Sequence, residues 1–234
     1  MDMLTGEQIG AADLSDWRKL AQGLHARYRL DDLSSGAQFL AEVANIGDDV
    51  ETHLRVAMGP GYVDLKLISD DAVYREDDGT EHVVEWPTQR DVELASRITQ
   101  IAGRRGLHAD PGAVSVIELG LDATNPAAVA AVWAALLTGD PGAQGRGTPS
   151  EEVRDASARV PNLWFGGPPA DPSAQRVHIE VYVPPEVVEQ RLAAAIAAGG
   201  TVADDSGSPS QTVIADQEGN TCVLCADTSA AKST

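Results

Sequence analysis

Val114-Ser-Val-Ile-Glu-Leu-Gly-Leu121, followed by Pro126-Ala-Ala-Val-Ala-Ala-Val-Trp-Ala-Ala-Leu-Leu137, sets the pattern of the second half of the chain. The first stretch is an apolar run of strand length. The second opens on proline, which fits the first turn of a helix, and continues in alanine and leucine. The pattern restarts with a strand at Arg176–Val183 and a helix at Pro185–Ala198 that stops at Gly199-Gly200. Short strands follow each helix: Glu152–Ala158 and Asn162–Phe165 after the first, Gln211–Ala215 and Thr221–Cys225 after the second. The repeat distance is about 60 residues, and two β-α-β-β-β units at that spacing make one domain of paired modules. The glycine-rich stretch Gly139–Pro149 follows a helix rather than a strand and lacks a Lys-Ser/Thr pair, so it is not a phosphate loop.

Working back toward the N-terminus, Asp110-Pro111-Gly112 is a turn signal and the candidate domain boundary. Before it, Thr88–Gly103 reads as an amphipathic helix with Thr88 as its cap and Asp91 completing the first turn. Val73–Trp86 reads as a hairpin with Asp78-Gly79 at its tip. His53–Met58 and Tyr62–Ser69 read as strands across Gly59-Pro60-Gly61, with Val63, Leu65 and Leu67 alternating against Asp64 and Lys66. Ser34–Val50 is a helix by the spacing of Phe39, Leu40, Val43 and Ile46, with Ser34 or Ser35 to cap it. Trp17–Leu30 reads as two strands turning near Gln22-Gly23, after a short helix from Thr5 to Leu14. The expected fold class is α+β. Its first domain spans 1–107, an antiparallel sheet with helices on one face. A linker at 108–113, the paired modules at 114–225 and a disordered tail at 226–234 follow.

Seventeen lysines and arginines stand against 36 acidic residues, a net charge of −19 across 234 residues. That balance argues against binding nucleic acid, which needs cations to neutralise phosphates, and against an anionic membrane surface. No apolar run reaches the ~18 residues of a transmembrane helix, and the acidic N-terminus lacks a signal-peptide core. The two cysteines, Cys222 and Cys225, have redox-like spacing but lie in an apolar strand rather than at a helix start. These features point to the cytoplasm.

The first half resembles pterin-4a-carbinolamine dehydratase over residues 4 to 105. The resemblance rests on Leu14-Ser-Asp-Trp17, Tyr28-Arg-Leu-Asp-Asp-Leu33, Ala37-Gln-Phe-Leu-Ala-Glu-Val-Ala44 and Thr88-Gln-Arg-Asp91-Val-Glu-Leu-Ala95. It implies a lyase that removes water from a 4a-hydroxytetrahydropterin, needing an acid at the leaving hydroxyl and a base at a ring N–H. The family's His-His-Pro motif falls on Thr52, His53 and Leu54, its third histidine on Asp70, and its helix aspartate on Asp91. The resemblance therefore implies His53 as acid/base, with Asp70 and Asp91 in support and a hydroxyl from Thr52. An insertion between Ser69 and Thr88 borders that site.

Residues 114 to 225 resemble the glyoxalase-like branch of the vicinal-oxygen-chelate superfamily. The motifs are Leu121-Asp-Ala with Val132-Trp-Ala-Ala-Leu-Leu, Arg176-Val-His178-Ile-Glu-Val, and Ala215-Asp-Gln-Glu-Gly-Asn220. Metal-using members place His and Glu on inward strand positions. Here only His178 takes such a position, so no metal is assigned and no cofactor is expected, a pterin entering only as substrate or ligand. Small-molecule binding in the cup would draw on His178, Glu180, Trp133 and Trp164. This gives a second function: binding without turnover. Both resemblances imply a homo-oligomer.

Overall fold

The computed structural model describes residues 1–47, 50–145, 152–155, 160–168 and 175–228. The expected strand at Glu152–Ala158, the loop Gly139–Pro149 and the tail beyond Thr228 lie partly or wholly outside those residues. The chain forms two compact units, Met1–Val114, rejoined by the chain at Asp227, and Ser115–Ala226. The class is α+β.

In the first unit, α1 (Gly6–Gly10) precedes β1 (Arg18–Leu20), β2 (Gly23–Arg29), α2 (Leu33–Ala44), α3 (Val50–His53), β3 (Leu54–Gly59) and β4 (Tyr62–Leu67). β5 (Ser69–Arg75), β6 (Glu81–Trp86) and α4 (Gln89–Arg104) complete it. Four strands form an antiparallel sheet in the order β1-β2-β4-β3, while β5 and β6 pair separately. Alternation sends Leu24, Ala26 and Tyr28 of β2 and Val63, Leu65 and Leu67 of β4 to one face. Phe39 and Val43 of α2 and Ala95, Ile98 and Ala102 of α4 join them in one core. Both long helices thus cover a single face of the sheet.

Four local readings shift. Asp32, not Ser34 or Ser35, caps α2, because its carboxylate accepts the Ser35 N–H at 2.7 Å. α2 stops at Ala44 rather than Val50, and a separate turn of helix, α3, carries His53 at its end. The first hairpin turns at Ala21-Gln22, with Leu20 paired to Gly23, so Ala21 takes a positive φ of 45°. The Asp110-Pro111-Gly112 turn forms, but Asp110 is tied to β2 through Arg29 and through its own N–H to the Arg27 carbonyl. The first unit accordingly runs on to Val114.

The second unit contains β7 (Val116–Asp122), α5 (Pro126–Thr138), β8 (Glu152–Val153), β9 (Asn162–Gly166) and β10 (Val177–Tyr182). It ends with α6 (Val188–Ala197), β11 (Thr201–Asp204), β12 (Gln211–Ala215) and β13 (Thr221–Cys225). The sheet order is β11-β12-β13-β10-β7-β9-β8. β7 and β10 pair antiparallel at the centre, and each has a parallel neighbour, β9 or β13, that is antiparallel to the next strand out. The two halves are related by a pseudo-twofold through the β7/β10 pair. β11 was not expected: Thr201–Asp204 is a short edge strand, exposed throughout, with too few apolar residues to alternate. Its counterpart in the first half is a bridge between Gln144 and Val153.

Register fixes two unlike faces of this sheet. One row across it reads Val202, Ile214, Cys222, Ile179, Leu119, Leu163 and Val153, all apolar or thiol, on the side of α5. The adjacent row on the opposite face runs Val223, Glu180, Glu118 and Asn162.

Candidate active site

Four side chains of the first unit meet away from solvent: His53 at the end of α3, Ser69 opening β5, Thr88 capping α4, and Asp91 in the first turn of α4. Asp91 and Thr88 are fully buried and Ser69 nearly so, while His53 keeps 8 % of its surface. Backbone bonds set this up. The Ile68 N–H donates to the His53 carbonyl at 3.1 Å, which places Ser69 beside the end of α3. The Asp91 Oδ2 accepts the Thr88 N–H at 2.7 Å, half of the capping box legible in the sequence.

The remaining bonds converge on the same carboxylate. His53 Nδ1 lies 2.9 Å from Asp91 Oδ1. The Ser69 hydroxyl donates to Oδ2 at 2.6 Å, and the Thr88 hydroxyl reaches Oδ2 at 3.0 Å. Ser69 Oγ is also 2.9 Å from Thr88 Oγ1 and 3.1 Å from His53 Nδ1. An ionised carboxylate only accepts, so the imidazole must donate from Nδ1. The α4 N-terminus, with its partial positive charge, favours the negative side chain there. In its neutral form the ring presents Nε2 as a base, and Nε2 has no hydrogen-bond partner among the described residues and is absent from the buried unsatisfied atoms.

This is not the geometry of a nucleophilic serine. Ser69 and Asp91 both sit at Nδ1, whereas a hydrolase triad places them on opposite ring nitrogens. Of the residues singled out in the sequence, His53 and Asp91 come together. Thr52 is exposed on α3, one helical step of about 100° from His53. Asp70 is partly buried in the bulge of β5, next to Ser69. The hydroxyls at the pair belong to Ser69 and Thr88, of which Thr88 was legible only as a cap. Trp86 pairs with Ser69 across β5 and β6, so an aromatic side chain stands on the same face.

In the second unit, His178 and Trp164 flank Gly120 in register, and their rings lie nearly parallel, 7° apart with centroids 6.1 Å apart. A Cβ at position 120 would meet the indole at 2.4 Å, so only glycine lets Trp164 lie across β7. His178 Nε2 is 3.1 Å from Asp122 Oδ2. Glu180 stands opposite the buried Glu118 and accepts the Tyr182 hydroxyl at 2.8 Å. Burial, then Glu180, pushes the Cys225 thiol up to about 12. Trp133 goes elsewhere: it packs in the core on the α5 side with Leu163 and Phe165, the face opposite His178 and Trp164. Among the described residues no group of three or more His, Cys, Asp or Glu is arranged to hold a metal, and no helix is long and apolar enough to cross a membrane.

Residues 118–225 match the family model of a glyoxalase-like domain. A crystal structure of a transcriptional coactivator/pterin dehydratase from Brucella melitensis is similar at 21 % identity, over 44 % of this chain and 100 % of that one, with a TM-score of 0.35. None of the curated proteins matches the chain.

Proposed function

We propose that the first unit, residues 1–114, is a lyase that dehydrates a 4a-hydroxytetrahydropterin or a related hydroxylated heterocycle, with His53 as its acid/base residue. The observation that carries this reading is the buried His53–Asp91 pair, whose Nδ1–Oδ1 contact favours the Nδ1–H tautomer of the imidazole. The sequence resemblance supplies the substrate class. Nε2 takes the proton of the ring N–H, and the freed pair closes a C=N bond to the carbon bearing the hydroxyl. The C–O bond breaks, and the hydroxyl leaves as water with the proton returned by the imidazolium. Asp91 stabilises that imidazolium through Nδ1–H, which is the service an acid/base histidine needs. One histidine moves one proton in each direction, so the balance closes without Thr52 or Asp70.

The test is the dehydration of a 4a-carbinolamine pterin, followed spectroscopically, for the wild type and His53→Ala. Turnover above the uncatalysed rate that disappears in a folded His53→Ala supports the lyase. A folded wild type without turnover refutes it.

A second reading assigns ligand binding without turnover to the polar face of the second unit. It is favoured by the Trp164–His178 plate over Gly120, a flat surface of the kind that planar heterocycles stack on. Quenching of indole fluorescence by a pterin, lost in Trp164→Leu, is its expected signature.

A further inference from the structure

On the polar face of the second unit, hydrogen-bond donors are spent within the fold and acceptors are left over. The Tyr182 hydroxyl donates to Glu180 Oε2 at 2.8 Å. The Arg154 guanidinium donates twice to Glu152, at 2.6 and 2.8 Å. The Asn162 amide nitrogen donates to Glu152 Oε2 at 3.2 Å and to Glu118 Oε1 at 3.4 Å. By contrast, Glu180 Oε1 and Asp122 Oδ1 have no hydrogen-bond partner among the described residues. With its nitrogen committed to two carboxylates, the Asn162 amide cannot be flipped, and its Oδ1 is buried without a donor. Such an acceptor costs free energy until a donor reaches it.

These acceptors border a flat floor. His178, Gly120 and Trp164 form one row across β10, β7 and β9, with the two rings 7° from parallel. Alternate residues of a strand share a face, so Glu180 and Asn162 stand in the next row on one side, and Asp122 stands in the next row on the other. Each row lies roughly 7 Å from the floor along the strands, within reach of a fused two-ring system stacked on it. A ring in that position meets carboxylates at its edges and finds no uncommitted hydroxyl or amide donor from Tyr182 or Asn162.

We propose that, granted the ligand-binding reading of the second unit, this face selects a flat heterocycle whose edge carries a ring N–H beside an exocyclic amino group. That is the 2-amino-4-oxopyrimidine edge, which pterins and guanine share. Its two donors are parallel and match the two oxygens of one carboxylate. Glu180 is that carboxylate: it adjoins His178 on β10, and the Tyr182 hydroxyl holds it from one side only. Trp164 and His178 supply the stacking, and Glu180 supplies the preference for an amino over an oxo substituent.

The full chain with nitrogen-15-labelled tryptophan tests this by magnetic resonance. The Trp164 indole N–H signal, identified by its loss in Trp164→Leu, reports this face and not the first unit. Pterin is expected to shift it saturably. Lumazine, with oxygen in place of the 2-amino group, is expected to bind at least about tenfold more weakly. Glu180→Gln keeps an acceptor for Tyr182 and is expected to weaken pterin by about tenfold, to the level of lumazine. Guanosine against inosine, which lacks the amino group, repeats the comparison on a purine, and the tighter of the two amino ligands names the source. Equal affinity for the amino ligand and its partner in both pairs, or a preference unchanged in Glu180→Gln, would overturn the donor-edge assignment while ligand binding stood. A Trp164 signal indifferent to all four compounds would overturn the binding reading along with it.

Discussion

His53 and His178 face aspartates across nearly equal gaps, 2.9 Å to Asp91 and 3.1 Å to Asp122, yet the two pairs are unlike in every other respect. The His53 and Asp91 side chains are 10 % and 0 % exposed, against 31 % and 17 % for His178 and Asp122. Asp91 accepts three further bonds, from Ser69 and Thr88, that fix it before any ligand arrives. His178 engages through Nε2 and lies beside an indole. An ion-pair distance is therefore a poor guide to chemistry. Burial and the count of donors that immobilise the acid decide whether a histidine is oriented or merely accompanied.

The largest effect expected from that contrast is at Asp91. Asp91→Ala strands a buried imidazole and removes the acceptor of three donors, so it should destabilise the fold by about 3–5 kcal/mol in urea denaturation. Asp122→Ala should cost less than about 1 kcal/mol, since its partner is partly solvated. Equal losses at the two sites would break the comparison. For turnover, His53→Gln should lower the rate by roughly 10²–10⁴-fold and His178→Gln should leave it unchanged.

His25 sharpens the contrast, being a histidine buried without an acid. Its Nε2 is inaccessible and unpartnered, and burial, then the neighbouring Lys66, holds its pKa down to about 3. The unfolded chain titrates near ~6.5, so between those values it binds a proton that the fold refuses. Stability from neutral His25 is present above about pH 6.5 and is lost as the pH falls toward 3, at up to ~1.4 kcal/mol per pH unit. His25→Gln should flatten that acid limb in denaturation measured from pH 7 to pH 4. An unchanged slope would show that His25 protonates freely.

Ser69→Ala should cost about 1–3 kcal/mol, because it leaves Thr88 and Asp91 short of a buried partner. Nitrogen chemical shifts of His53 should then show a mixture of tautomers where the wild type shows Nδ1–H alone. The smallest effect is expected at Ala21, whose positive φ suits glycine: Ala21→Gly should gain roughly 0.5–1 kcal/mol in thermal denaturation.

Much of this was readable beforehand, for stated reasons. The Thr88–Asp91 capping box is a local pattern at fixed spacing, and the same bond that caps α4 places Asp91 in the site. The repeat from Val114 to Cys225 was legible because Pro126 opens α5, Pro185 opens the short turn that leads into α6, and the central strands are compact apolar runs. Ser69 was not legible, since nothing in Leu-Ile-Ser-Asp distinguishes a buried hydroxyl from a strand end, and its partners are 16 to 22 residues away. The offset of His53 from Thr52 was hidden as well, because a four-residue helix is too short to show a period. Trp133 misled for a related reason: helical spacing says that it faces the sheet, but not which side of the sheet it meets.

β13 places its two thiols three residues apart, and an odd step along a strand sends side chains to opposite faces. Cys222 lies in the apolar row and Cys225 opposite it, so oxidation cannot join them within one strand. What the strand provides instead is one accessible thiol, Cys222, and one buried thiol, Cys225. A maleimide dye should reach Cys222 first at pH 8, because the Cys225 thiol is the more strongly raised of the two. That probe then watches the apolar side of the sheet without any engineered cysteine, and labelling of Cys225 reports opening of the polar side.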